Sequence, residues 1–138
     1  MTTVRKTLSA NDLGLTGSHQ AGILVPKDKE VLAFFPGLDK ATKNPRANLV
    51  LREVGDGARR EFNYIYYNGK FFGGTRNEYR LTCMTAYLRE SGARVGDEIV
   101  LSRNQDGSYL IDLVRSNSET FSDTDDTIVL SGGWKIIK

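Results

Sequence analysis

The sequence predicts a mostly β domain with two short helices, its strands forming a seven-stranded open pseudobarrel. Three observations carry this expectation. Runs rich in branched and aromatic residues recur along the chain, glycine-bearing turn signals separate them, and only two short segments repeat at helical spacing.

Taken in order, Gly22–Val25 reads as a short strand. After Pro26, the residues Val31, Phe34 and Phe35 fall at i, i+3 and i+4, a short helix that Pro36 and Gly37 end. Asn48–Val54 and Glu61–Tyr67 read as paired strands joined at Gly55-Asp56-Gly57. In Cys83–Gly92, Met84 pairs with Leu88 and Cys83 with Tyr87 at helical spacing, Arg89 occupies the last turn, and Gly92 can supply a left-handed cap. Those apolar companions imply a buried Cys83. Glu98–Arg103 and Ser108–Val114 form a hairpin around Asp106-Gly107, and Thr127–Leu130 and Trp134–Ile137 are shorter strands near the end. Two polar, glycine-bearing segments are left without a core role: Ser9–Gln20 and Asn68–Arg80. The polar stretch 115–127 reads as an acidic connection.

Composition narrows the function classes. A chain of 138 residues, 39% hydrophobic and 26% charged, reads as one globular domain over 1–138. No apolar run reaches bilayer length and none follows the start as a leader, so a membrane partner is not expected. A single cysteine excludes an internal disulfide and a cysteine-based zinc site. The net charge of +2 is uneven: residues 1–115 carry 17 Lys/Arg against 13 Asp/Glu, and the remainder carries two against four. Charge alone does not announce a nucleic-acid binder, so any such role must rest on where the bases sit.

Catalytic readings fail on inventory. His19 is the chain's one histidine, and adjacent Ser18 cannot present its hydroxyl to it in triad geometry. Asp123, Asp125 and Asp126 lack the glycine and terminal glutamate of a calcium loop and read as a solvated acidic loop. Neither GxxxxGK[ST] nor GxGxxG occurs. The chain by itself is therefore expected to be non-catalytic, with no metal and no cofactor.

Binding fits the two spare segments better. In "NGKFFGGTRNEYR", residues 68–80, Arg76 and Arg80 can each fork onto guanine O6 and N7, Asn77 suits adenine or phosphate, Glu78 can accept from a cytosine amino group, and Lys70 suits phosphate. In "LTGSHQAG", residues 15–22, Ser18, His19 and Gln20 place donors and acceptors on a glycine-flanked tip. Each segment alone also fits a solvated polar loop; the case for recognition comes from finding both on one small β domain.

The stretch "KTLSANDLGLTGSHQAGILVPK", residues 6–27, resembles the N-terminal effector domain of EcoRII-type restriction endonucleases. "GGTRNEYRLT", residues 73–82, is similar to that group's other recognition segment. "GARVGDEIVLSRNQDGSYLIDLVR", residues 92–115, has the GD-plus-hairpin pattern also found in plant B-three transcription-factor domains. The resemblance implies a B-three-like DNA-binding pseudobarrel that grips the major groove of double-stranded DNA with two arms. Here these are an N-arm at about 8–20 and a C-arm at about 70–80. It implies a sequence-specific target-recognition part of a longer type II enzyme of the prokaryotic cytoplasm, with a CCWGG-like site. Cleavage would fall to a nuclease catalytic domain in the same or a partner chain. By the same resemblance His19, Gln20 and Ser18 approach the DNA from the N-arm, and Lys6 and Lys27 flank it at the backbone. Lys70, Thr75, Arg76, Asn77, Glu78, Tyr79 and Arg80 do so from the C-arm, Tyr79 standing where some relatives carry a basic residue. Two alternatives stay open: a small metal-dependent nuclease in its own right, and a protein-interaction barrel.

Overall fold

The computed structural model describes residues 2–14, 22–116, 127–129 and 133–137. Strand β1 (Thr2–Thr7) is followed by β2 (Ile23–Val25), helix α1 (Lys29–Phe34), β3 (Arg46–Glu53) and β4 (Arg59–Tyr67). A 3-10 turn (Gly69–Phe72) then leads to β5 (Glu78–Thr82), α2 (Thr85–Glu90), β6 (Glu98–Arg103), β7 (Tyr109–Val114), β8 (Thr127–Val129) and β9 (Trp134–Ile137). Among the described residues nine strands form one sheet, in the order β2-β5-β4-β3-β7-β6-β1-β9-β8. Neighbours are antiparallel except β3 and β7, which run parallel with Leu51 opposite Tyr109.

The sheet curls around an inward face set by the two-residue period of its strands. Val4, Leu49, Leu51, Phe62, Tyr64, Ile99, Leu101 and Ile136 all point into this core. Trp134 is 1% exposed and donates its indole N–H to the carbonyl of Leu24 at 2.9 Å. Since β2 is one edge of the sheet and β9 lies next to the other, this side chain joins the two ends that no backbone ladder connects. The open pseudobarrel is thus pinned shut at its seam.

An aromatic column runs inward from that seam. Trp134 meets the Phe35 ring edge-on at 6.3 Å, and Phe35 stacks on Tyr64 at 4.6 Å. Tyr64 lies over Tyr79 at 5.8 Å, and Tyr79 over Tyr66 at 4.2 Å. Offset stacking and edge contacts are the favoured arrangements of such rings. Burial pushes the phenols of Tyr64, Tyr66 and Tyr79 up, so all three are neutral near pH 7.

The strands at 98–103 and 134–137 and both helices stand where the sequence predicts them. Two of the nine strands, β1 and β5, are additions to the expected seven. In β1 the inward positions are Val4 and Lys6, so a buried lysine interrupts the apolar alternation that marks a strand. The segment 68–80 is only partly loop. Glu78–Thr82 is a central strand between β2 and β4, which buries Tyr79 and Arg80. Cys83 is exposed rather than buried, because its φ of 66° swings the chain outward between β5 and α2. Asn63 Nδ2 lies 3.5 Å from its sulfur.

The Gly96-Asp97 pair of the hairpin motif has a structural explanation. The buried Asp97 carboxylate accepts from the N–H groups of Arg94 (2.9 Å) and Ser116 (2.8 Å) and from the Arg115 guanidinium (3.3 Å). The same guanidinium reaches the carbonyls of Gly92 at 2.8 Å and Ser91 at 2.5 Å, closing the end of α2. Burial opposes ionisation of Asp97, but the two backbone donors and Arg115 together hold its pKa below the usual carboxylate value. Its charge therefore stabilises the fold above about pH 4, and that contribution fades as pH falls through the lower folded value. Urea unfolding of the parent and of Asp97→Asn, repeated from pH 7 to pH 3, should show a gap between the two that narrows on acidification.

Candidate nucleic-acid interface

The segment expected to be the C-arm is a short connection between β4 and β5, held by its own backbone hydrogen bonds. At its base Asn68 is 0% exposed and ties the arm to the preceding loop. The 3-10 turn follows, with Phe71 N–H donating to Asn68 O at 3.0 Å. Gly73 then takes φ 89°, which favours glycine, and Gly74 N–H closes onto Gly69 O at 2.7 Å. Lys70 N–H bonds to Arg76 O at 2.8 Å, locking the two flanks of the arm together. Phe71 and Phe72 are 65% and 43% exposed at the tip, beside the exposed Lys70 and Thr75.

Charge on the arm is organised around Glu78. One carboxylate oxygen, Oε1, accepts from Arg76 Nε at 2.9 Å and lies 2.8 Å from Arg76 Nη2. The other, Oε2, accepts from Arg80 Nε at 3.1 Å. The Arg76 guanidinium also sits over the Tyr67 ring, 3.8 Å from its centroid. A carboxylate on one edge and an aromatic face beneath fix its plane. The side chain remains about half exposed, so Nη1 and the second hydrogen of Nη2 are left to meet a pair of acceptors. Asn77 Oδ1 accepts from the Tyr66 hydroxyl at 2.6 Å, which joins the arm to the end of the aromatic column.

Several sequence-predicted contacts find other work. Tyr79 is buried between the Tyr64 and Tyr66 rings, so it supports the arm from the core. Arg80 is 5% exposed, with Nη1 within 3.5 Å of Gly22 O as well as its bond to Glu78. It braces the C-arm against the point where the chain enters β2. Gly22 itself has φ 84°, and any Cβ there would collide with the Leu81 carbonyl oxygen.

Lys6 is buried, not displayed. Its ammonium donates to Asp12 Oδ2 at 2.9 Å and to Thr7 O at 2.8 Å. Asp12 Oδ2 also accepts from Ser9 N–H at 2.9 Å, and Ser9 Oγ accepts from Asp12 N–H at 3.2 Å. This reciprocal Ser9–Asp12 turn, anchored on Lys6, lies in the first half of the segment expected to be the N-arm. Ser18, His19 and Gln20 lie outside the described residues, as do Asp123, Asp125 and Asp126. Lys27 is exposed, just past the far end of β2. Sequence reasoning passed over Phe71, Phe72 and the Tyr67 ring under Arg76. Two adjacent phenylalanines in a glycine-rich polar stretch were the available signal.

The family model "Restriction endonuclease EcoRII, N-terminal" matches residues 1–107. The chain belongs to this family. The type II restriction enzyme EcoRII of Escherichia coli is 42% identical over 79 residues, which are 56% of this chain and 19% of that enzyme. The match thus spans about a fifth of that relative's length. Among solved structures, the Arabidopsis FUS3–DNA complex aligns with a TM-score of 0.64 at 19% identity, covering 82% of this chain and 96% of that one. The B3 domain of UbaLAI restriction endonuclease with cognate DNA aligns with a TM-score of 0.59 at 22% identity, covering 99% and 86%. These likenesses establish the B3-type fold for this EcoRII N-terminal domain, and its matched residues 1–107 include the Ser9–Asp12 turn and all of the 68–80 segment.

Among the described residues no cluster of three His, Cys, Asp or Glu side chains could hold a metal ion, and no helix is long and apolar enough to cross a membrane.

Proposed function

We propose that this chain is a sequence-specific reader of double-stranded DNA, the target-recognition effector part of a type II restriction enzyme acting in the prokaryotic cytoplasm. The observation that carries the reading is the exposed Arg76 guanidinium, held by Glu78 and stacked on Tyr67, on a rigid arm of an EcoRII-family domain. An arginine fixed in plane is suited to guanine O6 and N7 in the major groove, the commonest specific contact to DNA. Glu78 would be poor for nonspecific phosphate binding and serves instead to aim Arg76. Phe71 and Phe72 can meet a thymine methyl, and Lys70 a phosphate.

His19, Gln20 and Ser18 are assigned to the opposing N-arm, with Lys27 at the backbone beside it. Tyr79, Arg80 and Lys6 position the arms from within. Cleavage is assigned to a nuclease domain in the same or a partner chain, and the expected site is CCWGG-like. Gel shift with a panel of duplexes at fixed salt tests this: one short sequence should bind about a thousandfold or more tighter than the rest. Equal affinity for all duplexes, falling steeply with salt, would contradict it.

A further inference from the structure

The loop between α1 and β3 lies beside the C-arm and carries two exposed lysines, Lys40 and Lys43. Among the described residues neither ammonium has an ion-pair or hydrogen-bond partner. The loop's one acidic residue is turned onto its own backbone. Asp39 accepts from Ala41 N–H and from the Thr42 hydroxyl, each at 3.0 Å, so its charge is spent holding the turn. What the loop presents outward is positive.

The loop is also fastened to the arm. The buried Asn68 side chain accepts from Asn44 N–H at 2.8 Å and donates to Thr42 O at 2.9 Å and Lys40 O at 3.4 Å. Tyr66 N–H donates to Pro45 O at 3.0 Å. All the polar atoms of a fully buried amide thus bind one loop, two residues before the arm's own Lys70. Lys40 also opposes the burial-driven rise of the Tyr66 phenol, and that hydroxyl is the one bonded to Asn77 on the arm. Such complete satisfaction of a buried amide marks a fixed junction, not an incidental contact.

We propose that the 39–45 loop is a third DNA-contacting element, in which Lys40 and Lys43 hold the phosphate backbone alongside the C-arm and Asn68 is the positioning residue. This rests on the DNA-reading function above. Lysine is a compact point charge without a fork, suited to phosphate and not to base edges, so the loop supplies affinity and register and leaves sequence choice to the arm.

The test is a salt titration of duplex binding by the full chain and by Lys40→Gln/Lys43→Gln, on the preferred and a scrambled duplex. Each lost phosphate contact should lower the slope of log K against log salt by about 0.9, so the double variant should lose about 1 to 2 units of slope. Its affinity should fall by the same factor on both duplexes, leaving the specificity ratio unchanged. Asn68→Ala should lower the slope in the same direction while both lysines remain. An unchanged slope in the double variant overturns the inference alone, and so does a selective loss of sequence preference. A parent chain that binds no duplex overturns the DNA reading and this inference with it.

Discussion

Replacing Trp134 by alanine is expected to destabilise the fold by about 3–5 kcal/mol, the usual cost of emptying a buried aromatic site. Trp134 is 1% exposed, meets Phe35 edge-on, and holds the carbonyl of Leu24 across the seam. Its loss opens a cavity and also removes the bond between the two ends of the sheet. Trp134→Phe separates the two effects: it keeps most of the ring, gives up the 2.9 Å hydrogen bond, and should cost about 1 kcal/mol beyond the change in volume. Trp134 is the chain's one tryptophan, so urea unfolding should be followed by circular dichroism. A loss under about 1 kcal/mol for the alanine variant would mean that the seam is not held here. Because β2 enters directly from the N-arm, the same variants should also weaken DNA binding.

Arg76→Ala should weaken binding to the preferred duplex by about 1–3 kcal/mol, roughly 5- to 150-fold, while relaxing choice at one base pair. The guanidinium is exposed, so its removal leaves folding nearly untouched, and the loss can be read as recognition. Arg76→Lys should recover little of it, since lysine cannot reproduce the fork or the stack on Tyr67. Glu78→Gln should act differently. Removing the carboxylate frees Arg76 and Arg80 from their shared partner and deletes a negative charge near DNA. Nonspecific affinity should rise and the preference for the cognate duplex should fall. Uniform weakening of all sequences by Arg76→Ala would make it a phosphate contact.

Much of this was legible in the sequence because local rules and tertiary structure agree there. The hairpin around Asp106-Gly107 and the helix through Val31 and Phe34 follow turn chemistry and apolar spacing, and both form as predicted. The two expected arms stand out in the sequence as polar segments with no core role, and the described residues include 8–14 of the first and all of 68–80. What sequence could not supply was orientation. Arg76 and Arg80 are equivalent in composition and four residues apart. Only the pairing of β5 between β2 and β4 buries Arg80, on the face opposite the core residues Tyr79 and Leu81, while Arg76 precedes the strand and stays exposed. Tyr79 reads as a surface aromatic in a charged run, yet the stack from Phe35 to Tyr66 claims it. Lys6 reads as a backbone contact because it flanks the expected N-arm in the family resemblance, and its partner Asp12 is recognisable only once the Ser9–Asp12 turn is formed. The same kind of information, which loop packs on which, brings Lys40 and Lys43 to the arm.

Selection of bound duplexes from a fully random library tests the central claim most directly, since it asks at once whether the chain binds DNA and whether it reads it. The proposed function predicts enrichment of one short motif containing guanines, expected from the family resemblance to be CCWGG-like, with Arg76→Ala relaxing a single position of that motif. Recovery of the input composition after repeated rounds, or no recovery of duplex at low salt, would contradict it.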